Sequence, residues 1–456
     1  MDLHLEIDRR AGGVTDQVTA GLRTAIRKRS LTAGVRLPAS RQLAQDVGVS
    51  RGVIVEAYNQ LIAEGFLLAR PGAGTIVSEC CAGEAATEES RLPTAADDRV
   101  RYQLRPGIPD LSLFPRGQWL ARMRQALAAL PHEALGYPDH AGVLELRREL
   151  ASYLNRVRSA RANPDGIVVV NGVSLALSLI VRVLAGEGRR RIAVEDPSGR
   201  AYQELLVESG AELVHVPVDD EGIDVSTLEQ SGADAVILTP AHQFPTGVVL
   251  SPARRAALAA WALATGAHIV EDDYDAEFRF DRDPVGSLQG LLPSHVTLTG
   301  SVSKALSPGL RLGWMVAPPE MAQAVRRLRG LLDLGSPVLE QYTLARFLAD
   351  GGYDRHLRRA RKVYRRRRDA LASALATHLP QAQVRGINAG LHLYAELPSH
   401  ADDQAIAAAA QERGVALFPI SPMRTAPGNP GLVIGFACET EQRLAEAVRL
   451  IPRPPS

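Results

Sequence analysis

Only three of the 52 basic residues are lysines, Lys28, Lys304 and Lys362, and their surroundings differ. Lys28 lies in RKR and Lys362 in RARKVYRRRR, runs that read as solvated helix faces. Lys304 stands in GSVSKALSPGLRLGW, just after the strand-like VTLT, among small and apolar neighbours. A lysine desolvated there can serve as a Schiff-base amine; a plain surface lysine in a loop is the competing reading. Ser301, Ser303 and Arg311, in the same stretch, are suitable phosphate ligands. HIVEDDYDAEF puts Asp272 just past the end of a buried strand, where open α/β sheets bind ligands. An aspartate there can pair with a protonated pyridine nitrogen, and Tyr274 can hydrogen-bond a ring's phenolic oxygen. In IVVVNGVSLALSLIVRVL a strand, Asn-Gly and an apolar helix follow one another. The amides of Val173 and Ser174 would then form a helix N-terminus suited to phosphate. Taken singly, EDD is more often a solvated loop, and a strand–glycine–helix junction is common.

A second set of residues offers charge rather than covalent chemistry. DQVTAGLRTAIRKR (16–29) places Val18, Leu22 and Ile26 on one helical face. LPASRQLAQDVG follows, with Ser40 as N-cap, Leu43, Ala44 and Val47 inward and a stop at Gly48. After the turn, Ser50 caps a helix whose core face is Ile54, Tyr58 and Leu61. Two short helices joined by VGV have the spacing of a helix-turn-helix. Arg51 falls in the first turn of the second, where recognition helices meet base edges. FLLARPGAGTIVS (66–78) reads as strand, tight turn, strand: a wing with Arg70 at its tip. A packing module of three helices with merely solvated arginines is the competing reading.

These sets need a scaffold, and 456 residues supply two to four domains. Apolar residues make up 46% and charged residues 23%, which excludes a disordered chain, a collagen-like fibre and a disulfide scaffold. The longest purely apolar run is nine residues, Ala256–Ala264, far below the ~20 that span a bilayer. The N-terminus lacks the apolar region of a secretory signal. Three cysteines, two of them adjacent, fit a reducing compartment; a cytoplasmic protein without membrane attachment is expected. The net charge is +1, so affinity for nucleic acid must be local, and residues 1–78 hold ten Lys/Arg against seven Asp/Glu. Residues 79–101 carry six acids, three bases and only Leu92 and Val100 as large aliphatics, the composition of a flexible linker. Beyond them IVVV (167–170), IAVE (192–195), AVIL (235–238), HIVE (268–271) and VTLT (296–299) alternate with helical stretches. Continuous apolar strands spaced by helices imply a parallel sheet buried on both faces. From about Gly351 a long basic helix and smaller αβ elements suggest a separate lobe. The expected division is 1–78, a linker at 79–101, 102–350 and 351–456. No spacing among the eleven histidines and three cysteines resembles a zinc site, and no metal is expected.

The segment GVRLPASRQLAQDVGVSRGVIVEAYNQLIAEGFLLARPGAGTIV closely resembles the winged helix of GntR-type bacterial regulators over nearly all of 12–78. The resemblance implies contacts to an operator in double-stranded DNA from Arg41, Ser50, Arg51, Gly52, Arg70 and Gly72. RPGIPDLSLFP (105–115), LGYPDHAGVLELRREL (135–150), TPAHQFPTGVVLS (239–251), VEDDYDAEFRF (270–280) and SVSKALSPGLRLGW (301–314) resemble motifs of the MocR subfamily. There a GntR-type winged helix is fused to a fold-type I aminotransferase-like domain, an α/β fold with a smaller C-terminal α/β lobe. The cofactor so implied is pyridoxal 5'-phosphate. Lys304 would form its Schiff base, Asp272 pair with the pyridine nitrogen and Tyr274 bond the phenolic oxygen. Ser301, Ser303, Arg311 and the amides of Val173 and Ser174 would hold the phosphate, with His242 and Gln243 beside the ring. The opening DLHLEI and the HQFPTG segment resemble the PdxR-like branch, which implies control of vitamin B6 synthesis with the cofactor as effector.

Two departures bear on activity. Where the enzymes stack an aromatic residue on the cofactor there is Gly199, with Tyr202 as a substitute nearby, and where they place an arginine for the substrate's α-carboxylate there is Val433. Valine cannot replace a bidentate grip on a carboxylate. The expectation is therefore a homodimeric regulator that senses pyridoxal phosphate, or a small amine or amino acid condensing with it. The alternative is a working aminotransferase with a DNA-binding arm.

Overall fold

An apolar residue at every fourth position, Val18, Leu22 and Ile26, gives helix α1 (Val14–Arg27) a buried stripe. The computed structural model describes residues 7–8, 12–70, 74–79, 100–280, 285–386 and 389–454, and the chain divides into two units, 1–95 and 96–456. In the first, α1 is followed by α2 (Ser40–Val47) and α3 (Arg51–Ala63), then by β1 (Leu67–Arg70) and β2 (Gly74–Val77), paired antiparallel. Ile54, Leu61 and Leu67 are fully buried with Val18 and Leu22 in one core. Tyr58 is buried too, and its hydroxyl donates to the carbonyl of Pro38 at 2.8 Å, which anchors the strand of chain leading into α2. Gly48 closes α2 at φ 70°, a conformation a side chain disfavours. Ser40 differs from expectation: it is the first residue of α2, after Ala39, and makes no capping bond. Val47 is half-buried rather than buried. Ser50 does cap α3, its Oγ accepting from the Val53 amide at 3.4 Å.

In the second unit the strands are β3 (Tyr102–Gln103), β4 (Ile167–Val170), β5 (Arg191–Asp196), β6 (Glu212–Asp219), β7 (Gly222–Ile223), β8 (Ala235–Leu238), β9 (His268–Asp273), β10 (Val296–Ser301) and β11 (Gly313–Val316). Then come β12 (Gln383–Arg385), β13 (His392–Glu396), β14 (Val415–Ala416), β15 (Phe418–Pro419) and β16 (Gly431–Gly435). Eight form one sheet in the order β4-β11-β10-β9-β8-β5-β6-β7. Four of the five apolar runs read from the sequence are its parallel centre, β10 on β9, β9 on β8 and β8 on β5, while the fifth, IVVV, is the edge strand β4. The sheet is mixed rather than parallel, because β11 runs antiparallel between β10 and β4. All four residues of IVVV are buried, as both faces are covered by helices. A smaller antiparallel sheet, β12-β13-β16-β15, packs with the 27-residue helix Gly352–His378. One apolar cluster joins Val169 and Trp314 of the large sheet to Ile434 and Leu444 of the C-terminal elements. β3, the first strand of the unit, pairs in parallel with β14, near its end. Among the described residues no helix is long and apolar enough to cross a membrane.

Candidate functional site

The parallel strands β8, β9 and β10 end at one edge, and there a cavity of about 360 Å³ opens beside the start of the helix Val173–Gly186. Val173, Ser174, Asp272, Tyr274, Ser301, Ser303, Lys304 and Arg311 all line it, although they come from three separate stretches of the chain. Asp272 lies inside β9, opposite Thr299 of β10, rather than past the strand's end. Its Oδ1 accepts from the Thr299 hydroxyl at 3.3 Å. Burial, then Asp273, pushes its carboxyl up to about 7. Lys304 Nζ donates to the carbonyl of Gly107 at 2.5 Å. Burial pulls its ammonium below the usual lysine range, against Asp275 and Asp272, which favour the charge. A partly desolvated amine beside a buried carboxyl is the setting in which a lysine becomes nucleophilic.

The anion end of the cavity is built by close backbone approach. Arg311 sits at φ 48° and its Nη2 donates to the Asn171 carbonyl at 2.6 Å. A Cβ at Gly172 would come within 2.5 Å of that guanidinium, so only glycine lets Arg311 close over the helix start. No side chain caps the helix at Gly172, which leaves its first amides to a ligand.

His242 and Gln243 are placed differently from expectation. Neither lines the cavity; Phe244 does. Gln243 is buried, its Nε2 donating to the carbonyls of Pro197 and Phe244 at 2.9 and 2.7 Å and its Oε1 accepting from the Thr246 hydroxyl. That anchoring turns the next side chain, Phe244, inward and leaves His242 behind Tyr274, with Nδ1 3.0 Å from the phenol oxygen. A Cβ at Gly199 would lie 3.5 Å from the Phe244 ring, in ordinary contact, so Phe244 is the aromatic residue beside position 199. Tyr202 also lines the cavity. The sequence signal for Phe244 is an aromatic residue directly before Pro-Thr-Gly. Glu195, not among the expected ligands, lines the cavity and accepts from the amide and hydroxyl of Thr239 at 2.9 and 2.7 Å. Burial holds its carboxyl up at about 7. Val433 is fully buried in β16, opposite Tyr394 of β13.

In the first unit Arg41, Ser50, Arg51, Gly52 and Arg70 are all exposed, and Arg51 opens α3. Gly72 lies outside the described residues. The arginines of the long basic helix are largely consumed within the second unit: Arg361 and Arg365 donate to the carbonyls of Glu277 and Phe280, and Arg367 pairs with Asp110 at 2.9 Å.

Two family descriptions match the chain: aminotransferase class I and II over residues 112–451, and bacterial regulatory proteins, gntR family, over residues 14–77. The chain is 34% identical to the HTH-type pyridoxine biosynthesis transcriptional regulator PdxR of Corynebacterium glutamicum, over 94% of this chain and 93% of that protein. It is 32% identical to the probable rhizopine catabolism regulatory protein MocR of Rhizobium meliloti, over 95% of this chain and 92% of that one. Among solved structures, an archaeal alanine:glyoxylate aminotransferase has a TM-score of 0.71 at 28% identity, covering 77% of this chain and 89% of its own.

Proposed function

The chain belongs to the family that joins a GntR-type regulatory domain to an aminotransferase class I and II domain, and from that premise we propose a DNA-binding transcriptional regulator whose larger unit senses pyridoxal 5'-phosphate or a small amine condensing with it. One observation carries the sensing role: an amine, a buried carboxyl and an anion cradle meet in a single cavity, around Lys304, Asp272 and Arg311.

The donor set fits that cofactor. Its phosphate asks for N–H and O–H donors and a cation, offered by Val173, Ser174, Ser301, Ser303 and Arg311. Its ring nitrogen asks for a carboxylate, Asp272, its phenolic oxygen for a donor, Tyr274, and its aldehyde for the amine of Lys304. When bound, the cofactor supplies a carbonyl that primary amines attack. Phe244 and Tyr202 wall the ring's place with apolar surface. In the smaller unit Arg51 would read base edges, Arg41 and Arg70 would meet the backbone, and Ser50 would orient the first turn.

We take the effector to be the cofactor itself, in keeping with the name of the Corynebacterium relative and with Val433 where a carboxylate-binding arginine would stand. A homodimer is part of the proposal: Tyr137 and Leu331 are 88% and 80% exposed, with Leu332, Leu334 and Leu135 also out. Gly330 and Gly335 abut His140 and Pro138, which brings the two stretches that carry these exposed side chains side by side, where a second copy would cover them. Transamination is the second reading, favoured by Lys304, Asp272 and Tyr274 being together; an assay with amino donors and keto acids decides it. The main test is borohydride reduction of purified protein equilibrated with pyridoxal 5'-phosphate, with peptide mapping and operator binding measured with and without the cofactor. A label on Lys304 and a cofactor-dependent change in binding are expected; a label on Lys28 or Lys362 overturns the site.

A further inference from the structure

We propose that His242 and Asp275 are positioning residues for Tyr274, an inference that rests on the cofactor reading above. Asp275 fixes the proton of His242 on Nδ1, that N–H holds the phenol oxygen, and the phenol's own proton is thereby aimed at the cavity.

His242 Nδ1 lies 3.1 and 3.3 Å from the two oxygens of Asp275 and 3.0 Å from the Tyr274 oxygen. A carboxylate accepts and does not donate, so the imidazole nitrogen facing both its oxygens must carry hydrogen. Toward His242 the phenol is then an acceptor that shares the one N–H with Asp275, and its own hydrogen lies between the Asp275 carboxylate and the cavity, where a bound oxygen can take it. Burial, then Asp275 and Asp272, keeps that phenol far above its ordinary pKa, so it remains a donor.

The histidine has no freedom to turn away. A Cβ at Gly390 would come within 2.3 Å of the His242 ring and 2.4 Å of Asp275, and one at Gly247 within 3.2 Å of Nε2. On another side stands His392 of β13, its ring centre 5.1 Å away. Burial, then His242, pulls His392 down to about 3, so it adds no charge beside the pair. The charged groups that face Tyr274 are therefore Asp275 and Asp272, with Glu195 farther along the wall and Lys304 across the cavity. The two motifs singled out in the sequence, HQFPTG and EDDYDAEF, supply both halves of the arrangement.

A donor held at a phenolic oxygen draws negative charge from it, and the proton shared with a neighbouring nitrogen is then released at lower pH. Removing the donor raises that midpoint. Full-length protein loaded with pyridoxal 5'-phosphate is titrated with pH while its visible absorbance is recorded, for wild type, His242→Phe, His242→Asn, Tyr274→Phe and the double variant His242→Phe/Tyr274→Phe. His242→Phe is expected to raise the midpoint by about one pH unit, in the direction of Tyr274→Phe. His242→Asn, which keeps an N–H near the Nδ1 position, is expected to restore most of the difference. The double variant should go no further than Tyr274→Phe alone, because both changes remove one donor. An unchanged midpoint in His242→Phe, or additive shifts, overturns the inference while leaving a coloured wild type and the cofactor reading intact. A wild type that takes up no cofactor overturns both. Should His242→Phe not fold, Asp275→Asn is read by the same criteria, with a smaller upward shift expected.

Discussion

In the smaller unit, the groups offered to a ligand stand outside a closed core: Arg41, Arg51 and Arg70 are exposed while Ile54, Leu61 and Leu67 beneath them are fully buried. In the larger unit the arrangement is inverted, with Asp272, Ser301 and Glu195 buried around a cavity and much of the apolar surface of Leu331 and Tyr137 outside. The two designs respond to different variables. Exposed arginines act through reach and charge and are screened by salt. Buried carboxyls act through desolvation, which shifts their titration toward neutrality and makes them answer to pH and to what fills the cavity.

That contrast can be broken at its strongest point first. Lys304→Ala should abolish the borohydride-fixed label altogether, retain weak affinity through the phosphate ligands, and leave binding to scrambled duplex DNA unchanged; a persisting label refutes the assignment. Arg51→Ala should erase about 1–3 kcal/mol of discrimination between operator and scrambled duplex without altering the visible spectrum. Retained discrimination would remove Arg51 from the reading surface. The pH response should belong to the larger unit alone. Asp272 and Glu195 titrate near 7 when folded, well above the ordinary carboxyl, so below about pH 4 both states hold these protons and above it the unfolded chain gives them up first. Stability of the cofactor-free larger unit should therefore fall as pH rises toward 7. Asp272→Asn should flatten the decline, as thermal unfolding at a series of pH values would show; stability rising across that range would mean that Asp272 is ionised at rest. The smallest effect is expected at Arg70, at the end of β1. Arg70→Ala should weaken all duplexes alike and lower the salt slope by about one, measured by salt titration.

The same contrast explains what could be read in advance. The helix-turn-helix was legible because its signals are local: Val18, Leu22 and Ile26 recur by turns, Gly48 ends α2, and Ser50 precedes α3. Ser40 misled because a cap and a first-turn residue look alike in sequence when a proline and an alanine precede them. The cavity was legible only through motifs, since Val173, Asp272 and Lys304 lie 99 and 32 residues apart in turn, and only strand order brings them together. Strand β11 was missed for a related reason: GLRLGW advertised its arginine, and nothing in four buried residues says that they run antiparallel. The place of His242 beside the ring is implied only by the likeness of the HQFPTG segment to the MocR motif. Its actual position depends on Gln243, whose amide bonds reach Pro197, 46 residues away.

Covalent distance along the chain gives the Lys304 contact a further consequence. The amides of Arg101 and Tyr102 both donate to the Gly414 carbonyl, at 2.8 and 2.9 Å, so the chain's entry into the larger unit is sewn to its C-terminal portion. Only five residues beyond Tyr102 is Gly107, whose carbonyl takes the Lys304 hydrogen. A bond made at that nitrogen withdraws a hydrogen from the carbonyl, which must find another partner or shift. That rearrangement falls six peptide units from Arg101, in the same short stretch that carries the pairing of β3 with β14.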